Sequence, residues 1–344
     1  MSFIRTLIVL LSLLIGSMAH AGEPARVVAI GDLHGDYEAF RDIALTAKLV
    51  DADGDWAGGE TVLVQLGDVT DRGPDSLKII RDLMALEEQA AAAGGQVIAL
   101  IGNHEAMNVI GDLRYVHPGE FEAFVGPKSK TLRRAYWRNN EVAFLAKMEA
   151  RYPDGNAKQW RKKWEEEHPL GWIEHRLAWQ PGGELAKWYA GKQAIAKVGS
   201  TLFVHGGISV EVAAQGFDAV NAEIAAGLTD PTLMAPLENP RGPLWYRGNL
   251  EEKAGDRPIE IVRGELDGVL ATLGAKRLVV AHTPRLEGID AQHDGRLVRI
   301  DTGMADHYGG RPSYLEILDG RAFAIEQDDE GNWARRALPQ EGAS

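Results

Sequence analysis

The sequence predicts an α/β fold in which strands, turns and helices alternate. Three observations point to it. Short β-branched-rich apolar runs recur over residues 27–30, 62–66, 97–101, 202–204, 278–281 and 297–300, and each ends near a Gly- or Asp-bearing turn. Helical stretches over 37–48 and 75–93 separate the first three runs, and the second stops at Gly94-Gly95 in the manner of a C-cap. The early order is therefore β-α-β-α-β, a layered α/β arrangement. Ligands of such sheets gather beyond the carboxyl ends of the strands. Five turns belong there: Gly31-Asp32-Leu33-His34-Gly35, the stretch from Gly67-Asp68 to Asp71-Arg72-Gly73, Gly102-Asn103-His104-Glu105, His205-Gly206-Gly207 and Ala281-His282-Thr283.

Residues 112–196 have a different texture. They are mostly helical, basic in places (Lys128, Lys130, Arg133, Arg134, Arg161, Lys162, Lys163) and hold six of the nine tryptophans. A helical insertion between the third and fourth turns is expected. Its tryptophans (137, 160, 164, 172, 179 and 188) are expected to build a small core, the alternative being that one or two line a substrate groove. The polar stretch 327–344 is expected to be a frayed tail after a main domain over 22–326. At the other end, Arg5 precedes an apolar stretch over 7–15, and Ala19-His20-Ala21 reads as a small-x-small cleavage site. That pattern predicts a secretory signal peptide over 1–21, too short for a membrane span. The expectation is a periplasmic or secreted protein with no membrane insertion after cleavage.

The balance of 37 basic against 50 acidic residues, net −13, argues against a chain that grips a nucleic-acid backbone. Any anionic ligand must be attracted locally instead. Cysteine is absent, so the fold relies on its core and any metals rather than on disulfides.

The turns carry the chemistry. Asp32 and His34 lie two apart just past a strand, so both can face one side of the turn. A carboxylate with an imidazole suits a divalent transition metal better than Mg²⁺ or Ca²⁺. Asp68 is placed to bridge two cations. Asn103 offers a neutral oxygen, and His205 and His282 offer nitrogens. Four of the ten histidines (34, 104, 205 and 282) share this strand-then-turn context, whereas His117, His168, His175, His293 and His307 do not. His104 directly follows Asn103, and consecutive residues on a tight turn point apart. That makes His104 a general acid held near the metals but off them, with Asp71 as its orienting carboxylate. Arg72 is placed for bidentate contact with phosphate oxygens.

Read in order, GD-x-HG, GD-x-x-DRG, GNHE, HGG and a later isolated His resemble the phosphoprotein phosphatase branch of the calcineurin-like metallophosphoesterases, from Gly31 to about Gly303. Pro243-Leu244-Trp245-Tyr246-Arg247-Gly248 with Ala281-His282-Thr283-Pro284 is similar to the Shewanella-like protein phosphatases. The resemblance implies an αββα sandwich carrying a helical insertion. It also implies that Asp32, His34 and Asp68 hold one metal and Asp68, Asn103, His205 and His282 the second. His104 with Asp71 would be the proton donor, and Arg72 and Arg247 the phosphate clamps. Thr70 stands where the eukaryotic enzymes carry valine, and their C-terminal aromatic loop is not recognisable around Asp301-Thr302-Gly303-Met304.

The expectation is a phosphomonoesterase with two divalent ions, manganese first with iron or zinc as alternatives, using a metal-bridging hydroxide. Phosphoproteins or phosphopeptides bearing phosphotyrosine or phosphoserine/threonine are the expected substrates, with small phosphomonoesters second. The rivals are a dinucleoside polyphosphate hydrolase and a metal- or phosphate-binding module without catalysis.

Overall fold

The computed structural model describes residues 23–253 and 255–340, so the segment expected to be a signal peptide lies outside the described residues. The chain runs β1 (Arg26–Ile30), α1 (Tyr37–Thr46), β2 (Val62–Gln65), α2 (Ser76–Ala92), β3 (Gln96–Ala99) and α3 (Asn103–Ile110). Five helices follow: α4 (Pro118–Glu122), α5 (Ser129–Arg151), α6 (Ala157–Glu167), α7 (Trp172–Trp179) and α8 (Glu184–Ala190). Next come β4 (Ile195–Val198), β5 (Thr201–Val204), α9 (Val210–Gln215), α10 (Phe217–Thr229) and α11 (Ile259–Leu273). The chain finishes with β6 (Arg277–Val280), β7 (Asp290–Gln292), β8 (Leu297–Arg299), β9 (Ser313–Leu318), β10 (Arg321–Gln327) and β11 (Trp333–Ala337). Among the described residues, no helix is long and apolar enough to cross a membrane.

The strands form two mixed sheets. One has the order β11-β10-β9-β1-β2-β3, with β1, β2 and β3 parallel (Val27 opposite Val62, Val62 opposite Gln96). The other has the order β4-β5-β6-β8-β7, with β5, β6 and β8 parallel. Alternation along each strand sends one set of side chains between the sheets and the other under helices. Val27, Ala29, Val64, Phe203, Val279 and Val298 meet in the inner layer. Ile30 and Leu63 instead pack against Phe40 and Ile43 of α1 and Ile79, Ile80 and Leu83 of α2. On the far side Leu202, Val204 and Leu278 face Val212 of α9 and Leu266 and Val269 of α11. The layers are thus αββα, as the resemblance implies.

The insertion joins the core under α1 and α2 rather than standing apart. Trp179, Leu185, Ala186 and Tyr189 of α7 and α8 are buried with α1 and α2. Trp137 and Trp164 are buried where α5 meets α6, whereas Trp160, Trp172 and Trp188 are only partly covered.

The stretch after Gln327 corrects an expectation. It is a strand, not a frayed tail: β11 pairs antiparallel with β10 from Phe323 opposite Ala337 to Gln327 opposite Trp333. Trp333 contacts Tyr314, and Leu338 is buried between the sheets. Its sequence reads as polar because it is an edge strand, and edges carry charge to discourage further pairing. Ending the chain at Gln327 is expected to lower the unfolding free energy by at least about 2 kcal/mol, through loss of Leu338 burial and the strand ladder. Urea denaturation of the truncated chain checks this.

Candidate active site

Six parallel strands each deliver one polar side chain just beyond the carboxyl end. They are Asp32 after β1, Asp68 after β2, Asn103 after β3, His205 after β5, His282 after β6 and Asp301 after β8, all buried. The turns that present them are strained. Of the nine non-glycine residues with positive φ among the described residues, His34, Asp68, Asp71, Arg72 and His282 are five. Such conformations persist only where the surroundings over-determine them, and they cluster at working sites. Close backbone approach explains the glycines in these turns: a Cβ on Gly67 would lie 2.4 Å from the Gly102 nitrogen, and one on Gly102 would lie 2.2 Å from Asp68 Oδ1.

Glu105 holds the second turn in shape. Its carboxylate accepts from the backbone N–H of Asp68, Val69, Thr70 and Gly102 at 2.8–3.1 Å and from the Thr70 hydroxyl. Glu105→Ala would leave those buried donors unpaired, so a destabilisation of about 3–5 kcal/mol is expected, measurable by chemical denaturation of the metal-free protein.

The imidazoles are oriented by acceptors that cannot donate. His34 Nδ1–H donates to Thr70 O and His205 Nδ1–H donates to Leu66 O, both at 2.9 Å. Each therefore turns an Nε2 lone pair inward. His34 Nε2 lies 3.8 Å from Asp32 Oδ2 and 3.9 Å from Asp68 Oδ2. His205 Nε2 lies 2.9 Å from Asn103 Oδ1, 3.1 Å from His282 Nδ1 and 3.3 Å from Asp68 Oδ2. Adjacent donors on a metal with bonds of roughly 2.0–2.2 Å would be spaced at about 3–3.5 Å. Lone pairs converging at this spacing repel unless a cation lies among them. His282 Nε2 adds a buried nitrogen with no partner. The donors fit a pair of divalent ions. Two groups have ligand atoms all within 4.8 Å of one another: His34, Asp68 and His104, and Asp68, His205 and His282. Asp68 is common to both, the position expected of a bridge.

Electrostatics agree. Burial pulls the His34 imidazole down to about 3, and burial with His205 and Arg247 pulls His282 well below the usual range, so both stay neutral and free to ligate. Burial, Asp301 and Asp68 push the Asp32 carboxyl well above its usual range. Burial pushes Asp301 up to about 6. A site that penalises its own carboxylates in this way favours positive charge.

His104 is held differently. Its Nδ1–H donates to Asp71 Oδ2 at 2.5 Å, and Nε2 points toward Asp68 Oδ2 at 3.9 Å. Burial would lower its pKa, but Asp68 and the Asp71 hydrogen bond outweigh that and raise it. Asp71 is itself fixed, accepting from Asn108 Nδ2 at 2.9 Å, while its backbone N–H donates to buried Glu120. Asn103 and His104 begin helix α3 rather than sitting on a free tight turn. The helix geometry still sends them to different partners, Asn103 to His205 and His104 to Asp71.

The Arg72 guanidinium stacks over Tyr115 at 3.9 Å and lies 5.9 Å from the Tyr308 ring. Its Nε is buried with no partner. Arg247 is exposed and makes no ion pair among the described residues. It nevertheless feels Asp68, Asp32 and Asp301, which oppose the lowering of its pKa by partial desolvation. The six candidate metal donors, His104 and Asp71 are thus brought together, Arg72 adjoins them through Tyr115 and Tyr308, and Arg247 is linked to them only through space.

Sequence reasoning missed Asp301, Tyr308, Tyr115, Asn108 and Glu120. Asp301 was within reach, because the run 297–300 ends in Asp-Thr-Gly like the other turns. Tyr308, whose ring lies 5.4 Å from His34, sits in a loop with no motif. Glu120 is 49 residues from its partner Asp71, which only the fold can reveal.

The calcineurin-like phosphoesterase model matches residues 25–286. Shewanella-like protein phosphatase 2 of Arabidopsis thaliana is 34% identical over 311 residues, 86% of this chain and 75% of that one. The solved structure of a cold-active protein-tyrosine phosphatase from a psychrophilic Shewanella species is 26% identical with a TM-score of 0.64, covering 91% of this chain and 80% of that one. Symmetrical bis(5'-nucleosyl)-tetraphosphatase of Burkholderia pseudomallei is 33% identical over 95 residues, 27% of this chain and 28% of that one. With the family model covering more than half of the chain and all five of the turns that carry the candidate metal donors, the chain belongs to the calcineurin-like phosphoesterases.

Proposed function

We propose that the protein is a dinuclear-metal-dependent phosphomonoesterase acting on phosphorylated proteins or peptides. The observation that carries this reading is the setting of His104. Its imidazole turns Nε2 toward Asp68, 3.9 Å away, and a buried Asp71 holds Nδ1 from behind. A binding module has no use for a proton donor oriented in that way. The names of the Arabidopsis and Shewanella relatives support protein substrates.

Asp32, His34 and Asp68 would hold one ion, and Asp68, Asn103, His205 and His282 the other. When bound, such a pair lowers the pKa of water and neutralises phosphoryl charge. The mixed nitrogen and oxygen donors suit manganese first, with iron or zinc as alternatives. Arg72 and Arg247 donate to the non-bridging phosphoryl oxygens, and stacking on Tyr115 pre-sets the plane of the Arg72 fork. As an oxygen from water bonds to phosphorus and the ester P–O bond breaks, His104 Nε2–H gives its proton to the departing serine, threonine or tyrosine oxygen. Asp71 keeps the required tautomer and stabilises the imidazolium beforehand. The segment 1–21 supports export, and we place the enzyme in the periplasm or outside the cell.

The partial similarity to a dinucleoside tetraphosphatase gives a second reading. A panel of phosphotyrosine, phosphothreonine and diadenosine tetraphosphate substrates separates the two. A phosphopeptide should show the higher kcat/KM by at least about tenfold, a difference of roughly 1.4 kcal/mol in the barrier. Preferred cleavage of the tetraphosphate would overturn the proposal.

A further inference from the structure

The helical insertion carries a basic pocket that the catalytic site does not use. From Lys128 to Arg138 there are five cations and no acid, in a chain of net charge −13. Lys130, Arg133 and Arg134 of α5 face Arg161 and Glu165 of α6 across a cavity of about 310 Å³, with Trp137 and Trp164 as its walls. Four cationic side chains therefore meet one carboxylate, and Glu165 is already engaged by Arg161 at 3.2 Å. The neighbouring lysines of α6 are neutralised by their own i,i+4 partners, Lys162 with Glu166 and Lys163 with Glu167. The α5 cations are not: Arg133 reaches a single backbone carbonyl at 3.4 Å, and neither Lys130 nor Arg134 has a protein acceptor among the described residues.

A second feature lies in the wall of the same pocket. Trp137 is 4% exposed, and its indole Nε1–H is buried without a partner. The Arg161 guanidinium lies 5.2 Å from the same ring, and Trp164 packs against it with centroids 4.8 Å apart. Rigid aromatic walls, an unsatisfied donor and a surplus of guanidinium groups suit a compact oxyanion with several acceptor oxygens. None of these residues belongs to the five metal-bearing turns.

We propose that this pocket is a second anion site that binds a phosphate group, either inorganic phosphate or a phosphoryl group borne by a peptide. The proposal does not depend on the catalytic reading. Binding neutralises the mutual repulsion of Lys130, Arg133, Arg134 and Arg161 and should weaken as salt rises.

The test follows the indole ¹H–¹⁵N resonances of Trp137 and Trp164 in the full chain, assigned with Trp→Phe variants, during titration with sodium phosphate at constant ionic strength. A saturable shift of the Trp137 resonance is expected, weakened at least about tenfold in K130A/R134A and unchanged in R72A. Lys130 and Arg134 are exposed, so the double variant should keep the wild-type spectrum elsewhere. A parallel titration with a phosphonate-bearing peptide identifies the source. Tighter binding than phosphate assigns the pocket to substrate segments, and equal binding assigns it to free phosphate. A shift that is linear, that sodium chloride reproduces, or that survives K130A/R134A would overturn the proposal.

Discussion

His104→Ala is expected to lower kcat toward phosphoserine and phosphothreonine peptides by about 10²–10⁴-fold, the usual contribution of a positioned general acid. Metal content should be unchanged, because the six proposed ligands Asp32, His34, Asp68, Asn103, His205 and His282 all remain. The loss should depend on the leaving group. An alkoxide needs the proton, whereas p-nitrophenolate departs without it, so p-nitrophenyl phosphate turnover should fall far less. The pH profile gives an independent check. The His104 pKa is raised, because Asp68 and Asp71 outweigh burial. The imidazolium is therefore present below that raised value and is lost as pH climbs through it, so wild-type activity should decline on that alkaline limb. In His104→Ala the limb should vanish. A variant that loses metal, or loses all substrates equally, would make His104 a ligand or a structural residue instead.

Asp68→Asn should cost more. Asp68 is the residue common to both donor groups, and its Oδ1 also accepts from the His104 backbone N–H at 2.8 Å. An amide can keep that hydrogen bond but cannot supply the bridging negative charge. The expected result is at least about a 10³-fold loss in kcat/KM, equivalent to roughly 4 kcal/mol of transition-state stabilisation, with fewer than two ions retained. Thermal stability should separate the two proteins as well. A ligand present at 100 times its dissociation constant adds about 2.7 kcal/mol to the folded state, so wild type should melt higher after metal addition and Asp68→Asn should not. Dialysis followed by elemental analysis and calorimetry checks both halves.

The metal-bearing turns were legible because each needs a small residue for close approach beside a residue with a ligand atom. That combination leaves Gly-Asp, Gly-Asn and His-Gly pairs behind apolar runs. Helices α1 and α2 were legible for the same local reason, their caps and periodicity lying within one turn of sequence. The second arginine was readable only through resemblance: Arg247 is exposed, and its link to the site is through space, to Asp68, Asp32 and Asp301. Strand β11 was hidden by its own arginines, which suit an edge strand and resemble a tail. The supports behind the catalytic pair were hidden by distance, since nothing near Glu120 signals Asp71. Glu105 could be read as part of a motif, but not as the acceptor that fixes the turn bearing Asp68. Local rules thus located the chemistry, and the packing of distant segments supplied what holds it still.

The central claim is that paired ions on one shared carboxylate make this chain a phosphatase. The most direct measurement is a titration of chelator-stripped protein with Mn²⁺, following bound metal per chain and phosphopeptide turnover together. The account predicts negligible turnover without metal, and full turnover only as occupancy approaches two ions per chain. Full turnover in the stripped protein, or saturation at a single ion, would contradict it.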